Sequence, residues 1–440
     1  MSMPGHIRFR LSLMMFLELA VWGAWFSVGF SYLVGGFGAD HATQLFGLFW
    51  LACIVSPFVG GQIADRWFPT QYFLAICHLA GGVLLLLMAR ETDVTTMYFL
   101  MAAYVLLYTP TLPLVNSLAF HHLTDPDRQF GGIRVFGTLG WIAAGVALTL
   151  WRHLCDPAFL EALGGFSLTG EWFGKLWELW WGPMGPGVKC VEGDLFLLAG
   201  GCSLLYGLFA LTLPKTPPRK SAENPLAFLG ALKLLKDPSF AVFLAIAFVV
   251  TTELQFYFML TYDFFTKSLG ISEANTPAVM TVAQLAEVVA MWWLLPIAIK
   301  KIGLKWTLAL GVIAWPLRYV IFAIGHPTWL VVAALGFHGF GYAFFFVASQ
   351  IYVNNAAHSD IRASAQSLLT LVTLGVGMWL GTMLTNFIRV YFTTGEGAAA
   401  VTNWTAVFLV PCALTAACAV AYLLFFKPPA TQLKAEGDAA

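Results

Sequence analysis

Long apolar stretches recur at short intervals along the whole chain. Each is long enough for a helix to cross a bilayer, which takes about 20 residues. Brief segments with charged residues, Gly or Pro separate the stretches. The pattern predicts twelve membrane-spanning helices, near residues 11–36, 43–64, 71–89, 95–120, 130–153, 195–214, 239–266, 276–299, 304–325, 328–355, 363–391 and 403–426.

The connections between these helices differ in positive charge. If the N-terminus is cytoplasmic, the connections on that side hold more Lys and Arg than the connections outside. Lys and Arg are retained on the cytoplasmic side of membrane proteins, so this distribution predicts that both termini are cytoplasmic. An even number of spans agrees with that orientation.

Composition places the chain among polytopic membrane proteins. Its 440 residues are 59% hydrophobic and 10% charged, whereas a soluble domain is about a quarter charged. A formal net charge of zero argues against a nucleic-acid partner. We find no Cys/His spacing of a metal site, Ser/His/Asp array or phosphate loop, so we predict no metal, no cofactor and no enzyme activity.

The longest predicted cytoplasmic connection, residues 215–238, divides the spans into six and six. Its first part is rich in Pro and charge, as in a linker, and residues 225–235 predict a short amphipathic helix on the membrane surface. We therefore predict an all-α membrane protein with two six-helix bundles, residues 1–214 and 239–427. A cytoplasmic tail, residues 428–440, follows the second bundle.

Two dipeptides indicate an internal repeat. Ile133-Arg134 opens the fifth predicted helix, and Ile361-Arg362 precedes the eleventh, six spans later. Repeats of this kind are typical of transporters, whose substrates bind near the midplane between the two halves.

The predicted outside loop, residues 155–193, is rich in tryptophan and is bracketed by Cys155 and Cys190. Tryptophan favours the membrane interface. A disulfide between the two cysteines is plausible in an oxidising compartment, and two unpaired thiols are the alternative.

Acidic and amide side chains within apolar stretches mark candidate functional positions, because a carboxylate at membrane depth costs about 3 kcal/mol. Gln284 and Glu287 are three residues apart in the eighth predicted helix and lie on one face. Glu287 is the predicted proton carrier, and a protonated acid hydrogen-bonded between helices is the alternative. Glu18 is a possible helper, while Glu253 and Arg318 are expected to have structural roles.

The stretch Gly61-Gln62-Ile63-Ala64-Asp65-Arg66 joins the second and third predicted helices. It resembles the G-x-x-x-D-R loop of the major facilitator superfamily. Gly permits close helix approach, and the Asp/Arg pair can latch the two halves. Gly61, Asp65 and Arg66 are therefore the predicted latch, although the basic residues that usually follow are absent.

Further short motifs occur in order along both halves. They are Trp22-Gly23-Ala24-Trp25, Ile76-Cys77-His78, Pro110-Thr111-Leu112, Ile133-Arg134-Val135-Phe136-Gly137-Thr138-Leu139-Gly140, Glu253-Leu254-Gln255, Gln284-x-x-Glu287 and Ile361-Arg362-Ala363-Ser364-Ala365-Gln366. Over about residues 10 to 427, this ordered set resembles the nucleoside:proton symporter family, the bacterial nucleoside permeases. The resemblance implies a monomer in the bacterial inner membrane that takes up a nucleoside with a proton.

The resemblance also implies a set of residues that line the nucleoside site: Arg134, Thr138, Trp141, Gln255, Gln284, Glu287, His338 and Tyr342. The chain departs from the family at two positions. Phe258 stands where the family's permeases carry Asn, and Ala343 stands where they carry Asp.

These residue types suit a nucleoside on chemical grounds, and each also has a structural alternative. Glutamine amides donate and accept hydrogen bonds, as ribose hydroxyls and base edges require, or they hold helices together. Trp141 and Tyr342 are able to stack on a base or pack between helices. Arg134 offers a fork of donors or snorkels to the cytoplasmic surface. His338 is a candidate proton relay or a structural residue.

The sequence therefore predicts a secondary transporter for proton-coupled nucleoside uptake by alternating access. A symporter for a sugar or another small polar metabolite on the same fold is the alternative, because amides and aromatic rings serve a sugar equally well. A membrane-bound sensor is a third possibility, but the chain shows no added signalling domain.

Overall fold

The computed structural model describes residues 4–66, 69–123, 126–165, 167, 169–181, 192–216, 231–358, 361–395 and 400–428. For residues 56–66, 126–128, 181 and 362–364 it describes the backbone only. The α-helices, in chain order, are α1 Gly5–Phe37, α2 Ala39–Arg66, α3 Thr70–Met88, α4 Val94–Tyr108, α5 Thr111–His122, α6 Pro126–Leu154, α7 Pro157–Gly164, α8 Gly170–Trp181, α9 Asp194–Ala210, α10 Pro238–Asp263, α11 Thr276–Met280, α12 Val282–Val289, α13 Leu295–Ile324, α14 Thr328–Ala334, α15 Gly336–Gly341, α16 Ala348–Ala356, α17 Arg362–Thr370, α18 Met378–Tyr391 and α19 Trp404–Phe425.

Shorter elements complete the described chain. Leu232–Lys236 forms a 3-10 helix, and Thr393–Thr394 pairs antiparallel with Val401–Thr402. Wider π-helical turns form Phe264–Ser268, Ala290–Leu294, Tyr342–Val347 and Leu371–Gly377. Such turns are rare and frequently lie at functional sites. Two of them directly follow the segments that carry Glu287 and His338.

Nine helical stretches within the described ranges are long and apolar enough to cross a membrane. One of them, Thr276–Ile324, has 49 residues. Gly303 interrupts it with φ 76° and ψ 165°, a left-handed conformation that glycine adopts without a steric penalty. Ala39–Val55 and Asp194–Ala210 are two shorter apolar helices.

The outside loop predicted at residues 155–193 contains the two short helices α7 and α8. Asp156 caps α7, because its carboxylate accepts a hydrogen bond of 2.9 Å from the backbone amide of Ala158. In the turn between α3 and α4, Asp93 accepts from the Thr96 amide at 2.8 Å. That hydrogen bond holds the pKa of the Asp93 carboxyl below its usual value.

The chain packs as two compact units. Unit 1 comprises Met1–Leu45, Val59–Lys220 and Phe258–Thr281, and unit 2 comprises Phe46–Phe58, Ser221–Tyr257 and Val282–Ala440. Residues 258–281, which the sequence analysis places in the second bundle, therefore pack with unit 1. The domain boundaries at 214 and 239 stay a prediction.

Helices of unit 1 approach closely where glycine faces a neighbouring backbone. A Cβ atom placed on Gly140 of α6 would lie 1.9 Å from the carbonyl oxygen of Phe16 in α1. Small residues allow such close packing between membrane helices, which gain little from the hydrophobic effect. The contact fixes α6, with Arg134, Thr138 and Trp141, against α1.

We expect Gly140→Ala to destabilise the protein by at least the 1–3 kcal/mol typical of an overpacked core, because α1 and α6 must separate to admit the methyl group. Thermal unfolding of the detergent-purified variant measures the loss. Gly201→Ala in α9 is the matched control, since nothing lies within 4 Å of its added Cβ. Equal unfolding temperatures for the two variants would contradict the close α1–α6 packing.

Candidate functional site

The side chain of Arg134 points along α6 toward the middle of that helix. A Cβ placed on Gly137 would lie 2.6 Å from Nη1 of Arg134 and 3.0 Å from a methyl group of Leu19. The guanidinium therefore lies beside the turn that follows residue 134, whereas α6 begins at Pro126 in the other direction. A snorkelling arginine would extend toward that helix end, so this geometry favours a role for Arg134 within the span.

Trp141 lies in an aromatic cluster of unit 1. Its ring centroid is 5.4 Å from that of Trp22, 6.3 Å from Phe26 and 6.1 Å from Phe258. Phe258 also meets Phe26 edge-on at 5.0 Å. Phe258, where the sequence resemblance implies Asn, therefore packs its ring within this cluster. Thr138, one turn before Trp141, is buried.

Glu18 lies in a buried polar cluster of unit 1. Its Oε2 is 3.2 Å from Nε2 of His78, and its Oε1 accepts a hydrogen bond of 2.7 Å from Thr111. Tyr108 donates to the backbone carbonyl of Glu18 at 2.8 Å. The sequence pointed to Glu18 as an intramembrane acid and named His78 only within a motif, so their pairing was missed.

Unit 2 gathers a second polar set around Tyr257. Gln284 Nε2 lies 3.5 Å from the Tyr257 hydroxyl, and Glu287 follows Gln284 by three residues on α12. Gln284 and Glu287 are 5% and 8% exposed. The Oε1 atom of Gln284 has no hydrogen-bond partner among the described residues. A buried oxygen without a partner is available to accept a hydrogen bond from a ligand.

Gln255 is completely buried and lies on α10, the helix that also carries Tyr257. Its amide nitrogen is 3.1 Å from the sulfur of Met378, while its Oε1 has no partner within the part of the chain described. A thioether is a weak acceptor. The amide group of Gln255 therefore retains hydrogen-bonding capacity.

His338 contacts Arg318 rather than an acid. Arg318 Nη1 lies 3.0 Å from His338 Nδ1. Because arginine only donates, Nδ1 must accept, and His338 is neutral with its proton on Nε2 in this arrangement. Its ring lies 4.4 Å from that of Tyr257 and 6.3 Å from that of Tyr342, to which it is nearly parallel.

Arg318 is fully buried and surrounded by aromatic faces. The centroids of Trp315 and Tyr319 lie 4.8 Å and 4.5 Å from its guanidinium carbon. Glu253 of α10 is also fully buried. Neither carboxylate oxygen of Glu253 has a hydrogen-bond partner within the described residues. Cation–π contacts and His338 therefore contribute to the structural pairing expected for Arg318.

Arg152 joins residues 258–281 to the helices of unit 1. It makes a bidentate ion pair with Asp194, at 2.7 Å from Nε and 3.1 Å from Nη2. Its Nη1 donates to the Tyr262 hydroxyl at 3.0 Å and to the Glu273 carbonyl at 2.9 Å. The sequence analysis did not single out Arg152, so its buried partners were missed.

Further hydrogen bonds hold the same segment. His153 Nε2 lies 2.8 Å from Asn275 Oδ1, and the Ala278 amide donates to Thr149 at 3.0 Å. Ser31 donates to Asp263. These bonds show that residues 258–281 are fixed to unit 1 at several points.

Two predicted sets lie wholly or partly outside the described residues. The backbone of Gly61, Asp65 and Arg66 belongs to α2, but their side chains are not described. Cys190 is outside the described residues, so its disulfide with Cys155 stays a prediction.

Comparison with known proteins identifies the family of this chain. A family model described as nucleoside H+ symporter matches residues 5–156 and 188–431. The chain belongs to the nucleoside H+ symporter family. The resemblance stated from the sequence motifs is therefore confirmed, and it agrees with a transporter rather than an enzyme.

Two transporters of Escherichia coli K12 match this chain over nearly their full length. The putative nucleoside transporter YegT is 32% identical over 437 residues, covering 97% of this chain and 95% of YegT. A xanthosine permease is 29% identical over 442 residues, 96% of each chain. A crystal structure of a variant of nucleoside transporter NupG has a TM-score of 0.77 at 25% identity, covering 96% of this chain and all of that one. The fold is therefore that of a helical membrane transporter of the major facilitator type.

Proposed function

We propose that this protein takes up a nucleoside together with a proton by alternating access. Membership of the nucleoside H+ symporter family is the observation that carries the proposal. The bacterial relatives support a bacterial inner-membrane location. We further propose a monomer with twelve spans and cytoplasmic termini, which requires the helical stretch broken at Gly303 to cross twice and the two shorter apolar helices to cross once each.

The polar groups of unit 2 suit nucleoside recognition. Gln284 and Gln255 each have a buried carbonyl oxygen without a hydrogen-bond partner among the described residues. Ribose hydroxyls and exocyclic amino groups are donors that would satisfy these oxygens. Tyr342, exposed in part and parallel to His338, presents a ring on which a base could stack.

Glu287 is the proposed proton carrier. It is one helical turn from Gln284 on the same face and is almost completely buried. A proton on Glu287 removes a buried negative charge and adds a hydrogen-bond donor beside the substrate group. Proton and nucleoside binding would then favour each other, which is the requirement for symport.

The direct test is uptake of radiolabelled substrates by cells that express this chain. We expect saturable uptake of at least one nucleoside, competed by other nucleosides and not by sugars. Uptake of a sugar without any nucleoside would favour the alternative that Phe258 and Ala343 leave open. A transport-negative variant at Gln284, such as Gln284→Leu, is the background control.

We expect Arg134→Ala to reduce nucleoside uptake at least tenfold while the protein still reaches the membrane, because the guanidinium lies within the span. Arg10→Ala removes an arginine at the cytoplasmic end of α1 and serves as the control. The measurement compares uptake per unit of membrane-inserted protein. Normal uptake by Arg134→Ala would return Arg134 to a snorkelling role.

A further inference from the structure

Polar side chains from four helices of unit 1 meet in its interior. They are Glu18 of α1, His78 of α3, Thr111 of α5, and Ser203 and Tyr206 of α9, and each is at most 1% exposed. Polar groups inside a membrane protein are costly unless they pair with one another. The cluster is separate from Glu287, which belongs to unit 2.

Hydrogen bonding determines where one proton of His78 resides. Ser203 Oγ donates its only proton to the backbone carbonyl of His78 at 2.8 Å. The same oxygen lies 3.2 Å from His78 Nδ1, so Nδ1 must be the donor in that contact. The opposite ring nitrogen, Nε2, faces Glu18 Oε2 at 3.2 Å. A hydrogen bond between those two atoms requires one further proton, on either of them.

The pair of Glu18 and His78 is electrically neutral when it holds that one proton. It is then either a carboxylate with an imidazolium or a carboxylic acid with an imidazole. Loss of the proton leaves a net negative charge, and a second added proton leaves a net positive charge. Either change leaves an uncompensated charge in a buried site, which is unfavourable, so the closed site binds one proton.

Other charged or titratable side chains lie near Glu18 and His78 on the helices that pack around them. Tyr206 packs its ring on His78 at 4.0 Å. Nη1 of Arg134 and a methyl group of Leu19, the residue after Glu18, both lie within 3.0 Å of the place where a Cβ on Gly137 would be. Within the described part of the chain, Cys77, Tyr104 and Tyr108 are further titratable groups near the pair. Thiols and phenols are ordinarily uncharged at neutral pH. Glu18 and His78 are therefore the groups in this cluster whose charge changes when a proton binds or leaves.

A proline in a membrane helix adjoins the cluster. The apolar stretch Val94–His122 passes from α4 to α5 at Thr109 and Pro110, where the backbone stays right-handed helical. Tyr108 and Thr111, which bond to Glu18, flank these two residues. The hydroxyl of Thr109 is buried without a hydrogen-bond partner among the described residues. Because proline has no backbone N–H to donate, the helix lacks one backbone hydrogen bond beside the pair.

We propose that Glu18 and His78 form a second proton-binding site, which loads and releases one proton in each transport cycle in addition to the proton on Glu287. The inference rests on the proposed proton-coupled uptake. On release, the proton between Oε2 and Nε2 passes to water and leaves a Glu18 carboxylate and a neutral His78 protonated on Nδ1. Reloading from water on the opposite side restores the neutral pair.

The test is the proton-to-nucleoside ratio of the purified protein in liposomes. An imposed pH gradient is balanced against a nucleoside gradient until net flux stops, and the two gradients give the ratio. We expect two protons per nucleoside for the wild type and one for Glu18→Gln and His78→Gln. Ser12→Ala, a buried polar change on α1, should retain the wild-type ratio.

A merely structural role would lower the amount or rate of the variants and leave their ratio unchanged. A wild-type ratio of one, or a ratio of two in either variant, overturns the second site. If Glu18→Gln does not fold, His78→Gln, which keeps the carboxylate, is measured instead. If neither variant folds, the proton-to-nucleoside ratio of the wild type decides whether a second site exists. A wild type with no response to the pH gradient would instead refute the proposed symport.

Discussion

Glu287→Gln is expected to exchange nucleoside across the membrane but to lose its accumulation against a gradient. Glutamine has nearly the shape of a protonated glutamate and cannot release a proton. The variant should therefore remain in the form that binds nucleoside, and the return of the empty carrier, which requires deprotonation, should stop. Net cycling stops with it, so the proton on Glu18 and His78 cannot drive uptake alone.

Two assays on the same liposomes separate these steps. Exchange of internal for external labelled nucleoside should stay within about threefold of wild type, whereas uptake driven by a pH gradient should fall at least 100-fold. Glu178→Gln makes the same chemical change on an exposed face of α8 and should behave as wild type. Gradient-driven accumulation by Glu287→Gln would assign the coupling to Glu18 and His78.

Arg152→Met is expected to destabilise the protein more than any other single change considered. It removes two hydrogen bonds to Asp194 and two to residues 258–281, and it leaves the Asp194 carboxylate buried without its cation. Breaking a buried ion pair from one side costs about 3–5 kcal/mol. Adding Asp194→Asn should recover part of the loss, because the uncompensated charge is then absent.

Thermal unfolding of purified variants measures this effect. Arg152→Met should unfold several degrees below wild type, and the double variant with Asp194→Asn should fall between them. Arg90→Met removes an exposed arginine and is the control. An unchanged unfolding temperature for Arg152→Met would show that Arg152 does not hold α9 and residues 258–281 to α6.

Much of the fold could be predicted because apolar length is a local property of the chain. Hydropathy alone placed the helical stretches, and ordered motifs indicated the family. The break at Gly303 was expected only as a connection, and its left-handed backbone required the structure. Residues 258–281 begin inside the apolar helix α10 and continue through α11, and no local signal shows that they pack with unit 1.

The sequence allowed the residues of the candidate site to be named, but not the residues that each of them contacts. An acid in an apolar helix is visible in the sequence, so Glu18 and Glu287 could be named. The partner of Glu18 lies 60 residues away on another helix, and only tertiary packing brings His78 to it. Tyr257 was missed for a different reason, because a tyrosine in an apolar helix is indistinguishable from ordinary packing until its hydroxyl is seen beside Gln284.

The most direct measurement of the central claim is nucleoside-induced proton movement by the purified protein. Liposomes with a pH indicator inside are given an inward nucleoside gradient and no initial pH gradient. The account predicts that addition of a transported nucleoside acidifies the interior, and that Glu287→Gln abolishes the signal. Nucleoside entry at a normal rate with no acidification would contradict proton coupling.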